Sequence, residues 1–233
     1  MSTRIKTLIS FFLFFSVHNI FALEITSTEV EAYIKGEYNR GQYNYGEGSL
    51  IGAIELEELI RFRGGVSLGG SAESTDINAF FNVKCSPFSN QWLSPLGFSL
   101  SYIYNGLPDY DVHAHSVFPF ISYGNERAGL SFGLSLRFTS FFGEDPQFEP
   151  VLAFNVFFNF IYTESFIMGA SIGTFNDFDA RNMGAWTLCV NAVVILNKNW
   201  SIINEVELRQ SGGDGLTATF YGLSWRGGVR FSW

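Results

Sequence analysis

The stretch Thr217-Ala-Thr-Phe-Tyr-Gly-Leu-Ser-Trp-Arg-Gly-Gly-Val-Arg-Phe-Ser-Trp233 decides the fold. From Tyr221 its odd positions carry Tyr221, Leu223, Trp225, Val229, Phe231 and Trp233, and its even positions carry Gly222, Ser224, Arg226, Gly228, Arg230 and Ser232. Side chains of a strand alternate between two faces, so one face of this strand suits lipid and the other suits water.

The opposite end of the chain explains where such a strand would be needed. Arg4 and Lys6 precede an apolar run from Leu8 to Phe15 broken only by Ser10, and Ala22 stands just before Leu23-Glu24. This pattern predicts a secretory signal peptide over residues 1–22, leaving 23–233 as the mature chain. His18-Asn19 cuts the run short of the roughly 20 residues that a spanning helix requires. The formal charge of −8 becomes more negative when Arg4 and Lys6 leave with the leader, which excludes nucleic acid as a partner. No linker or composition shift divides the remainder, and one domain is expected.

Composition then narrows the architecture. The chain holds 26 Phe, 10 Tyr, 5 Trp and 24 Gly with only 15% charged residues, yet no mature segment is both apolar and long enough to span as a helix. Cys85 to Pro108 is free of charge but contains three prolines. Only helices and closed barrels satisfy every backbone group in hydrocarbon, so a barrel remains. The order Arg226, Gly228, Phe231, Trp233 resembles the C-terminal insertion signal of bacterial outer-membrane β-barrels of the porin-like class. That resemblance implies an outer-membrane location, contact with the lipid bilayer, and partnership with periplasmic chaperones and the barrel-assembly machinery.

Twelve alternating segments can be counted: 28–38, 48–57, 61–70, 76–86, 96–104, 112–123, 128–140, 151–162, 166–175, 184–195, 200–210 and 217–233. The fold class is therefore all-β, a transmembrane antiparallel barrel of about twelve strands. The long connector Pro87 to Pro95 leaves ten strands open. Connectors after even segments are mostly short, and those after odd segments are longer or more acidic, with Glu47, Glu73, Asp76, Asp109, Asp111, Glu144, Asp145, Glu149, Asp177, Asp179 and Asp214 expected at an outer rim. An Arg or Lys facing lipid at mid-depth costs about 2–4 kcal/mol, which sets the parity of every strand. Leu50, Ile54, Leu96, Phe98, Leu100, Leu130, Phe132, Leu134, Trp186, Leu188 and Val190 then face lipid.

The inward parity gathers the candidate functional residues. Glu31, Lys35, Glu37, Glu55, Glu57, Arg61, Arg63, Arg137, Glu205, Glu207, Arg226 and Arg230 are expected to line a constriction. A turn at Glu58 to Ile60 predicts cross-strand pairs Glu57 with Arg61 and Glu55 with Arg63. Opposed charges of this kind filter small hydrophilic solutes in a channel, and paired charges also fill narrow barrels structurally. The expected function is porin-like passive diffusion. A barrel displaying loops such as Asn39 to Glu47 for adhesion is the alternative. Asp109-Tyr-Asp111-Val-His113-Ala-His115 offers a third reading, because His-x-His on a strand with a carboxylate beside it is a metal-ligand or rim-hydrolase pattern. On that reading Asp111, His113 and His115 are the metal candidates, and a bulge near Pro119 would bring the histidines inward. No phosphate-cradling or dinucleotide fingerprint is present, so no cofactor is expected. Cys85 and Cys189 fall on opposite sides of a twelve-strand ring, beyond the reach of about 7 Å between Cα atoms that a disulfide tolerates, and two free thiols are expected.

Overall fold

A computed structural model describes residues 24–39, 44–72, 74–88, 93–141, 145–174, 186–210 and 220–233. The predicted leader, the rim residues Glu73, Glu144, Asp177, Asp179 and Asp214, and residues 40–43 of the predicted loop from Asn39 to Glu47 lie outside them. The described chain forms β1 (Ile25–Asn39), β2 (Asn44–Leu56), β3 (Ile60–Gly70), β4 (Thr75–Cys85), β5 (Leu96–Leu107), β6 (Val112–Gly124), β7 (Ala128–Phe141), β8 (Gln147–Tyr162), β9 (Phe166–Gly173), β10 (Trp186–Ile195), β11 (Trp200–Gln210) and β12 (Phe220–Ser232). A single 3₁₀ turn, Pro108–Tyr110, joins β5 to β6. Each strand pairs antiparallel with its neighbour in sequence, and β1 pairs with β12. The twelve-strand barrel is closed, and the ten-strand count is ruled out.

Closure is what the C-terminal strand accomplishes. Its register against β1 runs from Glu29 opposite Ser232 to Asn39 opposite Gly222. Beyond it, the amides of Thr28 and Trp233 each donate to the other's carbonyl at 3.0 Å. No sheet edge is then left bare, which is the condition for a sheet to stand in hydrocarbon.

The alternation read from sequence is realised. Leu50, Ile54, Phe98, Leu100, Leu130, Phe132, Leu134, Trp186, Leu188 and Val190 are exposed on the outer surface. Aromatic rings gather outside at both ends: Trp200, Phe231 and Trp233 meet in sequence as tilted pairs near the short turns, with centroids 4.8 and 5.3 Å apart. Phe138 and Phe148 do the same, at 5.0 Å, near the long connectors. These are the two interfacial girdles of a spanning barrel. The end carrying the short turns is called the turn end below, and the other the loop end.

Two expectations fail here. The β2–β3 turn begins one residue earlier than predicted: Glu57 and Glu58 take φ of 49° and 58°, and the Leu59 amide donates to the Leu56 carbonyl at 2.9 Å. Two left-handed residues closed by that bond make a type I′ hairpin turn, whose twist matches the flanking strands. Nor does β6 bulge at Pro119. Its register to β5 and β7 is unbroken, so Val117, Pro119 and Ile121 face out, and His113 and His115 face out with them.

Candidate functional site

Closure makes β11, β12, β1, β2 and β3 five consecutive staves, and most of the charged inward residues stand on them. Glu31 is the hub. Its side chain is 3% exposed, yet it accepts hydrogen bonds from Arg230 Nε at 2.6 Å and from the Tyr33 hydroxyl at 2.9 Å, with Arg63 at 3.3 Å. A carboxylate this buried is tolerated because each of its oxygens is met by a donor. Around it, Arg61 pairs with Glu29 at 2.5 Å, Lys35 with Glu37 at 3.3 Å, and Arg226 Nε donates to Glu205 at 2.7 Å. Arg209 bridges Glu207 at 2.6 Å and Glu37 at 3.7 Å. Acid and base alternate along one wall and neutralise each other locally, instead of opposing across the lumen.

The structure therefore brings Glu31, Lys35, Glu37, Arg61, Arg63, Glu205, Glu207, Arg226 and Arg230 onto one connected surface. Glu55 stands on the same inner face, but opposite Arg61, and Ala53 takes the place opposite Arg63. This two-residue offset from the predicted pairing follows from the early turn. It also removes Glu57 from the lumen, because Glu57 is an exposed turn residue. Arg137 lies apart on β7 and pairs with Glu149 of β8 near the loop end. Glu47, Asp76 and Glu149, expected in rim loops, stand instead on β2, β4 and β8.

What the sequence reading missed is a layer of apolar side chains across the middle of the lumen. Tyr33, Ile51, Phe80, Ile103, Phe118, Ala153 and Ile203, from seven different strands, form one contiguous buried cluster, with Phe120, Val151 and Val193 packed against it. Ile51 is 1% exposed, Phe118 1% and Ile103 2%. Side chains on the inner face of an open, water-filled pore would be wet, so these fill the lumen at this height. Burying each contributes about 1.5–3 kcal/mol relative to leaving it in water. Glycines make room for the rings: Gly228 lies opposite Tyr33 and Gly65 opposite Phe80. A methyl group at Gly228 would collide with the Tyr33 ring, and one at Gly65 would come within 2.9 Å of the Phe80 ring.

A sequence signal for this layer exists. Ile51 follows Leu50, Phe80 precedes Phe81, Ile103 sits between Tyr102 and Tyr104, and Ile203 follows Ile202. Where both parities are apolar, both faces of the strand are covered. Glu29 and Arg209, absent from the predicted constriction, share the parity of Glu31 and Glu207 and were legible on that ground.

The layer separates two polar storeys. Along β1 the order from the turn end is Glu29, Glu31, Tyr33, Lys35, Glu37; along β3 it is Arg61, Arg63, Gly65; along β12 it is Arg230, Gly228, Arg226. Arg63 thus lies on the turn side of the layer and Arg226 on the loop side. Each guanidinium stacks over a ring of the layer, Arg63 at 5.2 Å from the Phe80 centroid and Arg226 at 4.7 Å from that of Tyr33.

The histidines are elsewhere. His115 Nδ1 shares a hydrogen bond with the Tyr102 hydroxyl at 2.7 Å, His113 Nδ1 with that of Tyr104 at 2.9 Å, and Asp111 lies 3.4 Å from His113 Nε2. They belong to the outward girdle at the loop end. Among the described residues no three His, Cys, Asp or Glu side chains group as a metal site, so Asp111, His113 and His115 do not converge as predicted. Cys85 and Cys189 are both free.

No protein-family profile matches the chain, and no curated protein matches it in sequence. Solved structures do match in shape. The KdgM porin in complex with disordered oligogalacturonate superposes with a TM-score of 0.58 at 10% identity, covering 88% of this chain and 99% of that one. The NanC porin gives 0.58 at 10% identity over 86% and 98%. An outer-membrane channel from Pseudomonas putida F1 gives 0.54 at 9% identity over 90% and 96%. The fold is that of an outer-membrane β-barrel of the porin-like class.

Proposed function

We propose that the protein is a porin-like channel of a bacterial outer membrane, exported by its leader, inserted by the barrel-assembly machinery after escort by periplasmic chaperones, and passing small hydrophilic solutes down their gradient. The observation that carries this reading is a closed barrel whose inner face is charged and polar on both sides of a single thin apolar layer. A dry constriction between wet vestibules is how channels gate by wetting and dewetting. The ion-paired residues from Glu31 to Arg230 form the walls of the vestibules and hold the layer's rings in place. The outward, tyrosine-bonded histidines favour an interfacial role over catalysis.

Conductance in planar bilayers tests the reading. The wild type should show small discrete openings separated by long closures, and Ile51→Ser/Ile103→Ser, which hydrates the layer, should lengthen the openings. A flat trace at every voltage for both proteins overturns it and leaves a filled barrel that displays its loops.

A further inference from the structure

We infer that, among water-soluble solutes, the lumen selects those with an apolar ring or chain between charged ends, such as aromatic zwitterions, over sugars and small hydrated ions of the same size. The inference rests on the channel reading and adds the class of solute.

The layer presents Phe80, Phe118, Tyr33 and three isoleucines to whatever enters it, and its buried cluster contains a single hydroxyl, that of Tyr33, already donated to Glu31. A sugar entering it loses its water and finds few partners, because the hydroxyls that the register places beside the cluster, Ser116 opposite Ile103 and Ser135 opposite Val151, already bond each other, and unpaired polar groups in an apolar setting cost several kcal/mol. An aromatic ring loses nothing of that kind. It also restores the contacts that the layer's side chains give up on parting.

The charges on either side supply the ends. Arg63 with Glu31 meets the layer from the turn side, and Arg226 with Glu205 meets it from the loop side. Glu31 and Lys35, the same-face residues flanking Tyr33 on β1, are about 13 Å apart along the strand, because each residue rises about 3.3 Å. A zwitterion with a ring between its ends can thus hold its carboxylate to a guanidinium and its ammonium to a glutamate while the ring sits among the layer's own rings. Both arginines already lie over aromatic faces, so a solute ring can take over those stacking partners as Phe80 and Tyr33 move aside.

Uptake of radiolabelled 4-(aminomethyl)benzoate, whose ring stands between its ammonium and its carboxylate, and of glycine and arabinose into liposomes carrying the mature chain, with empty liposomes subtracted, tests this. The 4-(aminomethyl)benzoate is expected to enter at least about 10-fold faster than glycine or arabinose. In Ile51→Ser/Ile103→Ser the discrimination should fall to within about 3-fold through faster glycine and arabinose entry; the milder Ile103→Thr serves if the double variant does not fold. Equal entry of all three solutes into the wild type overturns the inference and leaves the channel intact. Entry of none, in wild type and variants alike, overturns the channel reading and the inference with it.

Discussion

The two walls of this lumen are made from the same kind of hairpin and held together by different forces. From β11 round to β3 the inner face is a run of ion pairs centred on Glu31, some between neighbouring strands, as Arg230 with Glu31, and some reaching over an intervening strand, as Arg63 of β3 with Glu31 and Arg209 of β11 with Glu37. From β4 to β8 charge is sparser, confined to Asp76, Lys84 and the Arg137–Glu149 pair towards the ends, and the middle is short neutral contacts: Asn82 donates to Ser101 at 2.7 Å, Asn105 to Asn78 at 2.6 Å, and the rings of Phe118 and Phe120 stack at 4.9 Å. The charged wall satisfies itself laterally and needs nothing from across the barrel. The neutral wall therefore projects its bulk inward, and Ile103, Phe118 and Phe120 supply much of the layer that closes the lumen.

If that division is right, the neutral wall should fail by cavity and the charged wall by unpaired charge. Phe118→Ala is expected to lose the most, about 4 kcal/mol for a fully buried ring, read as a lower urea midpoint of the heat-modifiable folded band. Glu31→Leu should cost about 3 kcal/mol by the same assay, because it leaves Arg63 and Arg230 side by side without their shared acid; a neutral outcome would mean the hub is dispensable. Gly228→Ala, which sits on the charged wall but fails by collision with Tyr33, should cost about 2 kcal/mol, and Tyr33→Leu in the same chain should recover part of it. Arg137→Ala should change the stability read from that midpoint by less than about 1 kcal/mol, since its partner Glu149 is largely in solvent at the loop end. Reversal of the order of Glu31→Leu and Arg137→Ala would erase the distinction between hub and rim.

Much of this was legible in the chain. Strand number, closure and the outward face followed from alternation, because lipid admits no charge and the backbone admits no edge. The charged wall followed for the same reason, Arg226 and Arg230 being unable to face outward. Pairing was less legible, since it depends on where the turn falls, and nothing in Glu57-Glu58 announces a type I′ turn that usually takes Asn-Gly. His113 and His115 were drawn inward by the assumption that polar means lumen. Imidazole, like tyrosine, is amphipathic and sits at an interface when its nitrogen finds a hydroxyl. The apolar layer was hidden by the converse assumption that apolar means lipid: Ile51 and Ile103 look like their outward neighbours, and only the unbroken apolar doublets mark them.

The central claim is a dry layer between two wet storeys, and thiol accessibility tests it most directly. In a Cys85→Ser/Cys189→Ser background, single cysteines at Glu29, Ile51 and Glu47 sample the turn-end storey, the layer and the loop-end storey in turn. A charged methanethiosulfonate reagent should modify Glu29→Cys and Glu47→Cys within minutes and Ile51→Cys at least about 100-fold more slowly. Equal modification at all three positions would contradict the account, because it would mean water fills the lumen from end to end.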